Sequence, residues 1–127
     1  MPSFSKKSLE KLNQCHPDLI TLMNEVIKTT DITVITGHRG KEAQDKAYRE
    51  GKSKVLWPNG KHNQTPSLAV DIAPYPVDWN DINRFKILGA FVLDLAKFLK
   101  THGVIAHEIE WGGNWKKFKD WGHFEIK

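Results

Sequence analysis

A chain of 127 residues is long enough for one packed core and too short to pair a catalytic unit with a targeting module, so a single domain over residues 1–127 is expected, without a separate binding module. Hydrophobic residues make up 39% and charged residues 27%, as in an ordinary soluble protein, and no apolar run approaches the ~18 residues of a membrane span. The lone Cys15 excludes an intramolecular disulfide, and the formal charge of +4 favours an anionic partner: nucleic acid, anionic lipid or a wall polymer.

The opening "MPSFSKKSLEKLNQ" lacks the apolar segment of a secretory signal, so synthesis in the cytoplasm is expected. "SLEKLNQCHPDLITLMNEVIKTT" predicts two helical pieces broken near Pro17, with Leu19, Leu22, Met23, Val26 and Ile27 on one apolar face. The β-branched run "DITVITG" predicts a strand stopped by Gly37, and "KEAQDKAYREG" a short helix closed by Gly51. From Lys52 to Pro66 the chain is polar and turn-rich, the pattern of a long functional loop. "SLAVDIA" is the next strand, ended by Pro74 and Pro76. Asp78 is placed to cap the following helix, about Trp79 to Thr101, with Asp81 in its first turn. Short strands are expected at "IAHEIEW" and "HFEI", separated by a turn-rich stretch. Strands and helices do not alternate strictly, so the predicted class is α+β: a small, mainly antiparallel sheet packed against helices.

Side chains alternate across a strand, so Leu68, Val70 and Ile72 face the core while Ser67, Ala69, Asp71 and Ala73 face a roomier side. In "HFEI" the same rule buries Phe124 and Ile126 and projects His123 and Glu125. A catalytic zinc takes three protein ligands and keeps one open position, and His62, Asp71 and His123 are candidates for that set. A base is still needed to take the proton of the attacking water; Asp120, three residues before His123, is a candidate. Arg39, at a glycine-flanked turn, is a candidate cation for the charge that develops on the carbonyl oxygen. Trp111 and Trp115 read either as core or, given the paired glycines beside them, as a cleft wall approached by substrate backbone. Ser67 reads as a hydrogen-bonding support for a ligand, with a nucleophilic role as the alternative. His16, His102 and His107 are expected at the surface or at helix ends, Cys15 in packing, and Glu108 and Glu110 solvated or salt-bridged, with a place facing the cleft, as a base in place of Asp120, the alternative.

In order along the chain, "TGHRGKEAQ", "KHNQTPSLAVDIAPYP", "EWGGNW" and "DWGHFEI" resemble the zinc peptidases of peptidoglycan that include VanY-like D-alanyl-D-alanine carboxypeptidases and phage L-alanyl-D-glutamate endolysins. The resemblance implies a fold shared with the zinc domain of hedgehog proteins and one zinc ion (Zn2+) on His62, Asp71 and His123. It implies Asp120 as the catalytic acid before the last histidine, Arg39 at the substrate or oxyanion, and Gln44 as a polar residue on the next helix. The activity implied is amide hydrolysis in the peptidoglycan stem peptide. An L-alanyl-D-glutamate endopeptidase of phage or prophage origin is expected first, and a D-alanyl-D-alanine carboxypeptidase second. A cytoplasmic lysis enzyme would act on the cell wall or in the periplasm, reaching it through a holin-type permeabilising protein, as a monomer without membrane insertion.

Two other classes compete. A metal nuclease would need a clustered basic face, whereas here lysines and arginines are scattered among acids, so no nucleic-acid partner is expected. A zinc-stabilised binding module without turnover would have no use for Asp120 and Arg39.

Overall fold

The computed structural model describes residues 2–127. Helix α1 (Lys6–Leu12) starts at Ser5, whose hydroxyl accepts from the Ser8 N–H at 3.1 Å. Helix α2 (Pro17–Ile27) begins on a proline, where no intrahelical donor is lost, and His16 Nδ1 caps it by accepting from the Asp18 N–H at 3.0 Å. Strand β1 (Ile32–Thr36), helix α3 (Lys41–Arg49) and strand β2 (Ala69–Pro74) follow. Between α3 and β2 the expected loop holds one 3₁₀ turn, Lys61–Asn63. Helix α4 (Ile82–Thr101) and strands β3 (Ile109–Trp111) and β4 (His123–Ile126) complete the chain.

The four strands run in the order β1-β2-β4-β3 with every pair antiparallel, which is the α+β arrangement the chain order predicts. Leu19, Leu22, Met23 and Val26 of α2 and Leu88, Val92 and Leu99 of α4 cover one face of the sheet, meeting Val34, Val70, Ile72 and Phe124. Cys15 packs in this core, and burial pushes its thiol up to about 12, so it serves as a small apolar side chain.

Three expectations need correction. Asp78 does not cap α4: its carboxylate turns back onto the Asn80 N–H at 3.0 Å, and Asp81 caps instead, accepting from the Arg84 N–H at 3.3 Å. Strand β3 is shorter than "IAHEIEW", because Asp18 Oδ2 accepts the Ala106 and His107 N–H groups, each at 3.0 Å, and holds that stretch at the start of α2. The second face of β2 is not open along its length: Ala69 and Ala73 are fully buried, and Asp71 is the partly accessible position between them.

Candidate metal centre and its cleft

The ladder between β2 and β4 sets Asp71 directly opposite His123, and Val70 opposite Phe124. Opposite residues of an antiparallel pair share a face, so the two apolar residues fill the core and the two polar ones meet on the other side. Asp71 Oδ1 lies 2.9 Å from His123 Nδ1.

His62 arrives from the 3₁₀ turn, its Nδ1 2.7 Å from the carbonyl oxygen of Gly37. A carbonyl only accepts, so Nδ1 carries the proton, and in the neutral ring that a metal ligand must be, Nε2 presents a lone pair. That Nε2 is buried, stands 3.2 Å from Asp71 Oδ1 and has no hydrogen-bond partner. A lone pair facing a carboxylate oxygen in a buried site repels it, and a cation between the two resolves the conflict. The ligand atoms of His62, Asp71 and His123 all lie within 4.8 Å of one another, so the donor set and its orphaned nitrogen fit a divalent metal. A second trio, His16, Asp18 and His107, meets the same spacing, but His16 Nδ1 is spent on capping α2 and Asp18 Oδ2 on three N–H donors.

Burial alone would raise the Asp71 pKa, but His62 and the hydrogen bond from His123 hold it well below the usual carboxylate range. Burial alone would lower His123, yet its bonds to Asp71 and Glu125 push it up to about 10. Asp120 moves the other way: burial first, and then the negative charge of Asp71, raise its pKa above the ordinary value.

Asp120 reaches the site from the turn before β4, its Oδ2 3.9 Å from His123 Nδ1 and its side chain 37% exposed. The backbones around it are close: a Cβ at Gly112 would strike the Asp120 carbonyl and crowd His123. Arg39 stands on the opposite flank, its guanidinium 3.6 Å from Asp71 Oδ2 and 3.2 Å from Gln44 Oε1. Gln44 is fully buried and also bonds Asn63, Ser53 and the Val55 carbonyl, which ties α3 to the loop before His62. These residues border a cleft of about 370 Å³ that Trp115 and Phe118 also line.

The remaining candidates divide. Ser67 Oγ is buried beside the carbonyls of Gly37 (3.1 Å) and Ala69 (2.7 Å), so it braces the carbonyl that orients His62 and has no access for attack. Trp115 lines the cleft with its ring 5.1 Å from His123. Trp111 does not: it is buried in the core, its Nε1–H donates to the Trp121 carbonyl at 2.8 Å, and Gly89 and Gly113 leave room for its ring and not for a substrate. Of the two readings of Trp111, core and cleft wall, the structure has the core one. Glu110 accepts from Trp115 Nε1 at 3.2 Å, and Glu108 pairs with Lys127 at 3.6 Å, so neither competes with Asp120.

One residue of the site is missing from the sequence reading. Glu125 accepts from His123 Nε2 at 2.8 Å and pairs with Lys61 at 3.3 Å, and Lys61 Nζ also bonds the Ile126 carbonyl. This leaves His123 Nδ1 as the nitrogen aimed at Asp71, and it links the strand carrying one histidine to the turn carrying the other. Alternation in "HFEI" indicated that Glu125 shares the His123 face; nothing in the sequence indicated that Lys61 would meet it there.

Comparison with known proteins places this geometry. The family model described as "Phage L-alanyl-D-glutamate peptidase" matches residues 2–126. The chain is 32% identical over 111 residues to the peptidoglycan L-alanyl-D-glutamate endopeptidase CwlK of Bacillus subtilis (strain 168), a match covering 78% of this chain and 62% of that protein. The chain therefore spans less than two thirds of that relative's length. Among solved structures, the L-Ala D-Glu endopeptidase ChiX of Serratia marcescens superposes with a TM-score of 0.79 at 26% identity, covering 98% of this chain and 90% of that one.

Proposed function

The chain belongs to the phage L-alanyl-D-glutamate peptidase family, and on that premise we propose that it is a zinc-dependent endopeptidase cutting the alanyl–glutamyl amide of peptidoglycan stem peptides. The observation that carries this reading is the buried, unpartnered His62 Nε2 facing Asp71, with Asp120 at the open side of the same site. His62 Nε2, Asp71 Oδ1 and His123 Nδ1 would hold the ion, which when bound polarises the scissile carbonyl and acidifies water.

Around that centre the protein's own groups divide the work. Asp120, whose partly exposed carboxyl stands at the open side of the site, takes the proton of the attacking water and passes it to the departing glutamyl nitrogen. Arg39 faces the negative charge that develops on the carbonyl oxygen, and its bond to Gln44 keeps the guanidinium in place beforehand. Glu125 holds His123 in the required tautomer.

Among the described residues no helix is long and apolar enough to cross a membrane. The proposed route to the wall, as for a lysis enzyme of phage or prophage origin, is opened by a holin-type protein. The enzyme is proposed to work as a monomer. The test is digestion of purified peptidoglycan with and without chelator, with new amino termini identified by mass spectrometry. Amino termini on glutamate that vanish with chelator and return with zinc are expected; release of C-terminal alanine in their place would turn the assignment to a carboxypeptidase.

A further inference from the structure

Four cations line the cleft, and three of them are already paired. Arg39 faces Asp71 at 3.6 Å, Lys52 faces Glu50 at 3.2 Å, and Lys61 faces Glu125 at 3.3 Å. Lys54 is the fourth. Among the described residues it has no carboxylate partner, and its Nζ rests 5.4 Å from the centre of the Phe118 ring, across the cleft from its own loop.

The backbone of Lys54 is fixed from below. Gln44 Nε2 donates to Ser53 Oγ at 3.0 Å and to the Val55 carbonyl at 2.6 Å, gripping the residues on either side of it. The same buried amide accepts from Arg39 at 3.2 Å and from Asn63 Nδ2 at 3.0 Å, and Asn63 follows the ligand His62. One side chain thus sets the spacing between the metal site and an unneutralised ammonium.

The substrate chemistry supplies a matching anion. In an alanyl–glutamyl bond the glutamyl nitrogen belongs to the scissile amide, so glutamate lies on the departing side with two carboxyl groups. One carries the rest of the stem, and the other hangs free a few bonds from the reacting atoms. We infer that Lys54 binds this free carboxylate and makes the enzyme selective for stem peptides whose glutamate is not amidated. This rests on the function proposed above and adds a substrate preference to it. Lys54 is exposed, and an ammonium on a carboxylate at such a half-open cleft supports up to about fivefold discrimination, because a carboxamide of the same shape keeps the contact and loses the charge.

The test uses two synthetic alanyl–glutamyl peptides that differ only in whether the second carboxyl is free or a carboxamide. The zinc-loaded wild-type protein is expected to favour the free acid by up to about fivefold in kcat/KM, chiefly through KM. In Lys54→Met that ratio is expected to fall towards one, and in Lys54→Glu to drop below one. Equal rates on both peptides for the wild type, or a ratio that Lys54→Met leaves intact, would overturn the inference while leaving the endopeptidase reading standing. Cleavage of neither peptide would overturn both.

Discussion

Asp71 and His123 stand opposite one another on adjacent antiparallel strands, with Oδ1 2.9 Å from Nδ1. The backbone ladder thus sets two of the three proposed ligands, and only His62 depends on loop geometry. That loop is itself anchored, since the Arg39 N–H donates to the His62 carbonyl at 2.8 Å and His62 Nδ1–H donates to the Gly37 carbonyl at 2.7 Å.

The contact between His123 Nε2 and Glu125 predicts a metal-affinity effect. Glu125→Gln keeps the shape and removes the charge, and zinc affinity is expected to fall by about tenfold, with Glu125→Ala lower still. Lys61→Met should move in the same direction by less. Competition against a chromogenic chelator reads both, and an Ala variant that binds zinc as tightly as the wild type would rule the contact out as a support.

His123 also predicts a pH dependence. Its pKa is higher in the folded metal-free protein, about 10, than the ~6.5 of an unfolded chain. The stabilisation is therefore complete below the unfolded value and is lost as pH rises through the folded one. With chelator present, the melting temperature should decline as pH rises from neutral towards about 10. An ion must displace this proton, so the zinc Kd should fall by about tenfold for each unit of rising pH in the same window. A chelated protein with a flat melting profile there would contradict the assignment.

Gly37 joins packing to the site. A Cβ there would collide with the Lys11 backbone carbonyl, which has no flexible end to move aside. Gly37→Ala is expected to cost about 1–3 kcal/mol, read as a lower denaturant midpoint, and to weaken zinc binding as well, because the Gly37 carbonyl orients His62. Loss of stability with unchanged zinc affinity would separate the two effects and refute the link.

Much of this was legible beforehand because it rests on period-two alternation. Val70 and Ile72 against Asp71, and Phe124 and Ile126 against His123, declare their faces within a few residues. Long-range partners carry no such local sign. Gln44 meets Asn63 and Val55 only after the loop has folded back on α3, and Lys61 meets Glu125 only once β4 is in register. The glycines around Trp111 misled for a related reason: small residues beside an aromatic ring signal a close approach, and here what approaches is the ring itself. The cap of α4 shifted from Asp78 to Asp81 because two aspartates compete for nearby N–H groups, and sequence does not rank them.

The central claim is that His62, Asp71 and His123 hold the ion while Asp120 moves the proton, and a paired measurement of bound zinc and turnover in Asp120→Ala tests it most directly. The account predicts one equivalent of zinc and a loss of turnover of at least about a hundredfold, with His123→Ala losing the metal itself. Full turnover in Asp120→Ala, or loss of its zinc, would contradict it.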